Sequence, residues 1–292
     1  MKTRIIVSAV LLPIFFVILF VLPPIFLSIV ISVITAIAAY ELLHATKLTN
    51  NKRVLVYTVI AAALVPSAVY LSTIPAQINP SYSTMMLMTL IFSIFFIFIS
   101  LLVIEALLAY KNEKAIEKGT QLKFRQIPIA LVAGIVIPWM LSALISLKTL
   151  PAGHLLVLLP IVSTFLTDSG AYFTGVAIGK RKVLPTISPN KTLEGFVGGI
   201  IIGTFGLMIY GIILSYATDL TVLFPVLLLY GIIGAVITEF GDLVFSYIKR
   251  KCGIKDYGKL MPGHGGALDR FDSMIFNAPT MCLLVMLLPA VY

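Results

Sequence analysis

Charge is scarce in this chain. Asp, Glu, Lys and Arg make up 11% of its 292 residues against 60% hydrophobic, and the mean hydropathy is +1.08. Soluble domains carry about a quarter charged residues, so an ordinary water-soluble fold is excluded and an integral membrane protein is expected. Cysteine is nearly absent: the two present, Cys252 and Cys282, form no CxxC pair, which excludes a disulfide framework and a cysteine-based zinc site. Acidic residues are also few, 12 against 21 basic, for a net charge of +9. The basic residues lie between hydrophobic stretches instead of in one patch, so the anionic partner expected is a lipid headgroup or a nucleotide, with no nucleic acid.

What the chain does have is a series of apolar runs. At about 20 residues per crossing, spans are predicted at 5–22, 25–39, 54–71, 85–109, 127–147, 155–178, 193–216, 222–250 and 270–288. The fold class expected is all-α, a polytopic membrane helix bundle of about nine transmembrane helices. Residues 1–150 hold spans one to five, and 151–292 hold spans six to nine with the polar loops. Residues 1–4 before an apolar run imitate a signal peptide. No small-residue cleavage site follows, and Pro23-Pro24 leads into another run, so an uncleaved hairpin is expected. Of the 21 Lys and Arg, 20 fall in alternate gaps and only Lys148 in the other set. This asymmetry places the N-terminus and the polar loops in the cytoplasm and the C-terminus outside.

The first five spans carry little chemistry. Glu41 and Glu105 fall near cytoplasmic ends, where solvated roles are expected, and 111–125 reads as an interfacial segment. Asp168, by contrast, lies inside an apolar helix, where a carboxylate costs about 2.5 to 3.5 kcal/mol and should face a polar cavity or a cation. Ala171, Gly175 and Gly179 follow it as a small-residue face open to close approach. Residues 188–195 read SPNKTLEG: Ser188 is expected as an N-cap, Pro189 as the first helical residue, and Lys191 in a first turn suited to anions. Gly195, Gly199 and Gly203 repeat every four residues as packing glycines. Glu239, Asp242, Ser246 and Lys249, spaced three, four and three apart, share one helix face. Asp168 and Asp242 are expected to converge on one cation-bearing cavity, since isolated buried carboxylates would neutralise.

The most polar stretch, 246–272, packs six Lys or Arg, three Asp, one His and five Gly into 27 residues. Gly258, Gly263, Gly265 and Gly266 let backbone N–H groups approach a ligand, the bases supply charge, and Asp269 and Asp272 suit hard cations. Phosphate chemistry follows from that combination. A plain positive-inside loop explains Lys251 and Lys259 but not four glycines around a His.

Ser246, Lys249, Arg250, Lys255, Asp256, Gly258, Pro262, His264, Gly265, Gly266, Asp269, Arg270 and Asp272 fall in the order and spacing of a known signature. It is that of the bacterial phosphatidate cytidylyltransferase (CDP-diacylglycerol synthase) family, and 188–195 resembles a second stretch of the same family. Met261 and Ala267 stand where a branched aliphatic is commoner. The resemblance runs from residue 167 onward; the first 150 residues share only hydropathy. It implies that CTP and phosphatidate yield CDP-diacylglycerol and pyrophosphate, by in-line attack of the lipid phosphate on the α-phosphorus. It implies catalytic roles for Asp242, Asp269, Lys249 and His264, and substrate contacts from Lys191, Arg250, Lys255, Arg270, Ser188, Gly265 and Gly266. It further implies Mg2+ in two cation sites on Asp242, Asp269, Asp168 and Asp272, a homodimer, and a cell inner membrane location with the site facing the cytoplasm. Two rivals stand beside it. A transporter would use Asp168 and Asp242 as ion-coupling sites, but the expected internal repeat is missing. A CDP-alcohol phosphotransferase would show a DGxxAR pattern, which is absent.

Overall fold

The computed structural model describes residues 13–48, 51–74, 80–111, 122–258 and 265–292. The chain forms two compact units, one of Met1–Thr149 with Ile254–Arg270, the other of Leu150–Gly253 with Phe271–Tyr292.

In the first unit a helical segment ending in the π-turn Val17–Val21 precedes α1 (Pro24–Ala45), α2 (Lys52–Thr73), α3 (Pro80–Lys111) and α4 (Ile127–Thr149). Pro24 opens α1, where a missing N–H costs nothing, and the Asn51 side chain caps α2 by accepting from the N–H groups of Arg53 and Val54. Pro66, inside α2, removes the donor that the carbonyl of Ala62 would otherwise have. Thr35 of α1 donates to that carbonyl at 2.8 Å, so an apolar helix keeps a proline without an orphaned acceptor. Lys148 is buried, and its ammonium is satisfied by the carbonyls of Ile18 and Leu22.

The second unit runs through α5 (Gly153–Ile178), the strands β1 (Lys182–Leu184) and β2 (Ser188–Thr192), α6 (Leu193–Ala217), α7 (Phe224–Lys251) and α8 (Leu268–Leu287), whose first residues belong to the first unit. The small-residue stripes of α5 and α6 face each other. A Cβ on Gly195 would stand 2.8 Å from the carbonyl of Ala171, and one on Gly199 3.0 Å from the Ala171 methyl. The partner of the Ala171 and Gly175 face is therefore another helix, as small-residue packing in membranes requires.

The fold is an all-α multi-pass membrane protein. Among the described residues, α1 to α7 are the seven helices long and apolar enough to cross a membrane. Of the nine spans expected, 5–22 lies partly outside the described residues, which begin at 13, and 270–288 forms α8, whose Asp269, Arg270, Asp272 and Asn277 leave it outside that set. Two further expectations are corrected. Ser188 and Pro189 do not open a helix; they sit in β2, which pairs antiparallel with β1, and Thr192 is the N-cap of α6, accepting from Gly195 N–H at 3.1 Å. The residue before a proline is pushed out of the α region, and the next capping side chain downstream takes the role. Glu41 and Glu105 are not solvated: they are 4% and 7% exposed, because α1 continues to Ala45 and Glu105 pairs with Arg53 at 3.2 Å. Of 111–125, residues 112–121 lie outside the described set.

Candidate active site

The second unit gathers charges from four elements. Lys191 leaves β2, away from the first turn where it was expected, and its ammonium lies 2.6 Å from Glu239 and 2.7 Å from Asp242 on α7. One lysine reaching both carboxylates shows that they share a helix face. Ser246, one turn on, donates to the other oxygen of Asp242 at 3.2 Å, and Lys249 pairs at 3.7 Å with Asp272 of α8. Arg250 donates to the carbonyl of Ile187 in the β1–β2 turn. Asp168, midway along α5, is not packed over by protein, and the charges of Asp242, Asp272, Lys191 and Glu239 all act on it.

Burial separates these groups. The Glu239 side chain is 1% exposed and Asp242 27%, so Glu239 is a buried partner and Asp242 is the carboxylate with an open side. Burial alone would lower the pKa of Lys191, but Asp242 and Glu239 outweigh it and hold the ammonium above its ordinary value. Lys191 is accordingly a fixed positive charge. The donors are all carboxylate oxygens, the chemistry that suits magnesium, and Oε1 of Glu239 is buried without a hydrogen-bond partner. Among the described residues no three acidic, His or Cys side chains converge as a metal cage; the cations in the cluster are the ammonium groups of Lys191 and Lys249. The residues fit a hard divalent cation by donor type.

Deeper in the same unit lies a polar network that the sequence reading did not single out. Asn277 of α8 donates to the carbonyl of Pro160 at 3.2 Å and to Thr164 at 2.8 Å, and Thr164 lies 3.5 Å from Thr238. An Asn inside a hydrophobic helix was the available signal.

In the first unit the polar stretch is organised by two carboxylates. Asp269 accepts from the N–H groups of Tyr257 at 2.8 Å and Gly266 at 3.0 Å through the same oxygen. Glu41 of α1 accepts from Ala267 at 3.1 Å and Leu268 at 2.9 Å. The Gly266 amide is thus engaged within the chain. Gly265 has φ of +85°, a conformation that favours glycine. Lys255 and Arg270 are exposed, while Gly263 and His264 lie outside the described residues. Sequence reasoning missed Glu41, whose partners lie 226 and 227 residues away.

The pattern of the cytidylyltransferase family matches residues 2–288. Phosphatidate cytidylyltransferase of Bacillus subtilis (strain 168) is 47% identical over 121 residues, 41% of this chain and 44% of the relative. That of Staphylococcus haemolyticus is 46% identical over 121 residues, covering 41% and 45%, and that of Staphylococcus saprophyticus 43% over 129 residues, covering 44% and 48%. The chain therefore spans about half the length of the curated relatives that it matches. By the match along nearly its whole length, the chain belongs to the cytidylyltransferase family.

Proposed function

We propose that this protein is a phosphatidate cytidylyltransferase, joining CTP to phosphatidate with release of pyrophosphate. The observation that carries the reading is the Lys191 ammonium held between Glu239 and Asp242 in a helical membrane unit, with Asp168, Lys249 and Asp272 around them. Two anionic phosphates repel each other, so their reaction needs fixed positive charge and a means of aligning them. Lys191 supplies a charge that does not titrate near neutral pH. Asp242 orients it, and Glu239, buried on its other side, keeps it in place. Lys249, Arg250, Lys255 and Arg270 are the further phosphate-binding groups, with Ser188 and Gly265 as hydroxyl and backbone contacts; Gly266, whose amide is held by Asp269, is set aside. Magnesium, offered Asp168, Asp242 and Asp272 in the second unit, would neutralise charge on the phosphates and the pyrophosphate leaving group; within the first unit Asp269 is the candidate carboxylate. His264 is the candidate donor to a leaving-group oxygen. The chemistry rests on residues of 151–292, and the helices of 1–150 carry the membrane scaffold.

The relatives bearing this name are bacterial, and the positive-inside partition supports a cell membrane location with the polar loops in the cytoplasm. Cys252 just past α7 tests that orientation: an impermeant thiol reagent applied to intact cells should spare it and label a cysteine introduced at Tyr292. A homodimer is checked by the mass of the purified protein in detergent. The activity itself is tested by pyrophosphate release from CTP with the purified full chain. Release that requires both phosphatidate and Mg2+ supports the reading. No release with any lipid phosphate overturns it and favours a transporter.

A further inference from the structure

We propose that Glu41, on the N-terminal helix α1, is a positioning residue for the glycine-rich segment of the site: its carboxylate fixes the junction at which that segment turns into α8. The functional part of this inference rests on the activity proposed above; the structural part stands on geometry alone.

The first amides of any helix lack intrahelical acceptors. At the start of α8 the amides of Ala267, just before the helix, and Leu268, its first residue, both donate to Glu41, one to each carboxylate oxygen, at 3.1 and 2.9 Å. A carboxylate is favoured at a helix start by the aligned peptide dipoles, and a buried one is tolerated only when hydrogen-bonded. Glu41 meets both conditions while 4% exposed. The same group explains two glycines. A Cβ on Gly258 would overlap the Glu41 carboxylate, and one on Gly266 would stand 2.5 Å from both of its oxygens. Glycine at these positions is required by Glu41, with no ligand involved. Asp269 completes the junction by accepting from Tyr257 and Gly266, so the amides of residues 257, 266, 267 and 268 are all held by two carboxylates. The two are close enough for their charges to interact, and each is kept in place by amides that the other does not use. Glu41 therefore sets the position of the backbone from which Asp269 and Gly265 project.

Amide exchange and kinetics on the full-length protein in detergent decide the matter. In Glu41→Gln, which keeps the shape but turns an NH2 toward one of the two amides, exchange at Ala267 and Leu268 should quicken on the order of tenfold, the equivalent of one charge-assisted hydrogen bond. kcat should fall by a similar factor or more, because a misplaced site costs rate. KM for CTP should stay within about threefold and the unfolding midpoint within a few degrees. A purely structural role would lower the midpoint and leave kcat of the folded fraction unchanged, and that result overturns the proposal. So does Glu41→Gln with wild-type exchange. Gly266→Ala should be damaging in the wild type but add less than about twofold to Glu41→Ala, because the clash partner is gone; full additivity counts against the contact. If Glu41→Ala cannot be purified, Gly258→Ala takes its place, with faster exchange in 254–270 expected and unchanged exchange overturning the proposal. Should the wild-type chain release no pyrophosphate, the proposed activity fails while the exchange comparison still decides the junction.

Discussion

Two carboxylate clusters, one in each unit, are neutralised by different means. In the second, Glu239 and Asp242 face the Lys191 ammonium, and Asp272 faces Lys249. In the first, Glu41 and Asp269 accept from backbone N–H groups of residues 257 and 266–268. A lysine side chain is a counterion on a flexible stem that can yield to a metal or a phosphate. A backbone amide leaves its carboxylate only when the chain itself moves. The difference separates carboxylates whose counterion can be exchanged from carboxylates whose place is fixed by the backbone.

The sharpest way to break this comparison is to neutralise one carboxylate of each kind without changing its size. Asp242→Asn should reduce turnover roughly a thousandfold, about 4 kcal/mol of barrier, while the protein stays folded. Asp269→Asn keeps an acceptor for Tyr257 and Gly266 and should lose turnover to a similar extent. A folded Asp269→Asn with near-wild-type activity at low Mg2+ would show that this carboxylate serves shape alone.

Removing the counterion probes the second unit from the other side. Lys191→Met strands Glu239 in the interior, and breaking such a pair costs about 3–5 kcal/mol. Adding Glu239→Met should restore much of that in a denaturation series, whereas no recovery would mean that Asp242 carries the cost. The pH dependence has a definite sign. Since the folded-state pKa of Lys191 is raised, its contribution is complete below the ordinary lysine value of about 10.4 and is lost only as pH rises through the higher folded value. On the alkaline side the stability gap between wild type and Lys191→Met should therefore hold to about pH 9 and narrow above it; a gap that already closes as pH rises from about 8 to 9 would contradict the pairing. The smallest effect is expected from Thr192→Ala, which removes the N-cap of α6 at about 1 kcal/mol, measured by the same denaturation.

Much of the membrane architecture was legible because hydropathy and helical period are local properties. The apolar runs at 54–71 and 193–216 reappear as α2 and α6 with ends shifted by a few residues. The spacing of Glu239, Asp242 and Ser246 put them on one face of α7, where Lys191 and the Ser246 hydroxyl meet them. Where two local signals competed, the reading failed: Ser188 and Thr192 are both good N-caps, and the pairing of β2 with β1, a tertiary fact, selected Thr192.

By itself the sequence determined that this is an all-helical membrane protein whose few charges lie mostly between the apolar runs, because burying charge in lipid is costly enough to show in composition. It also determined the family, through a dense and ordered set of residues near the end of the chain. Only the tertiary structure decided what each charge faces. Lys191 meets Glu239 from 48 residues away and Glu41 meets Ala267 from 226. A hydrogen bond over that separation leaves no period or propensity behind it; it exists only once packed helices have brought the two groups within 3 Å or so of each other.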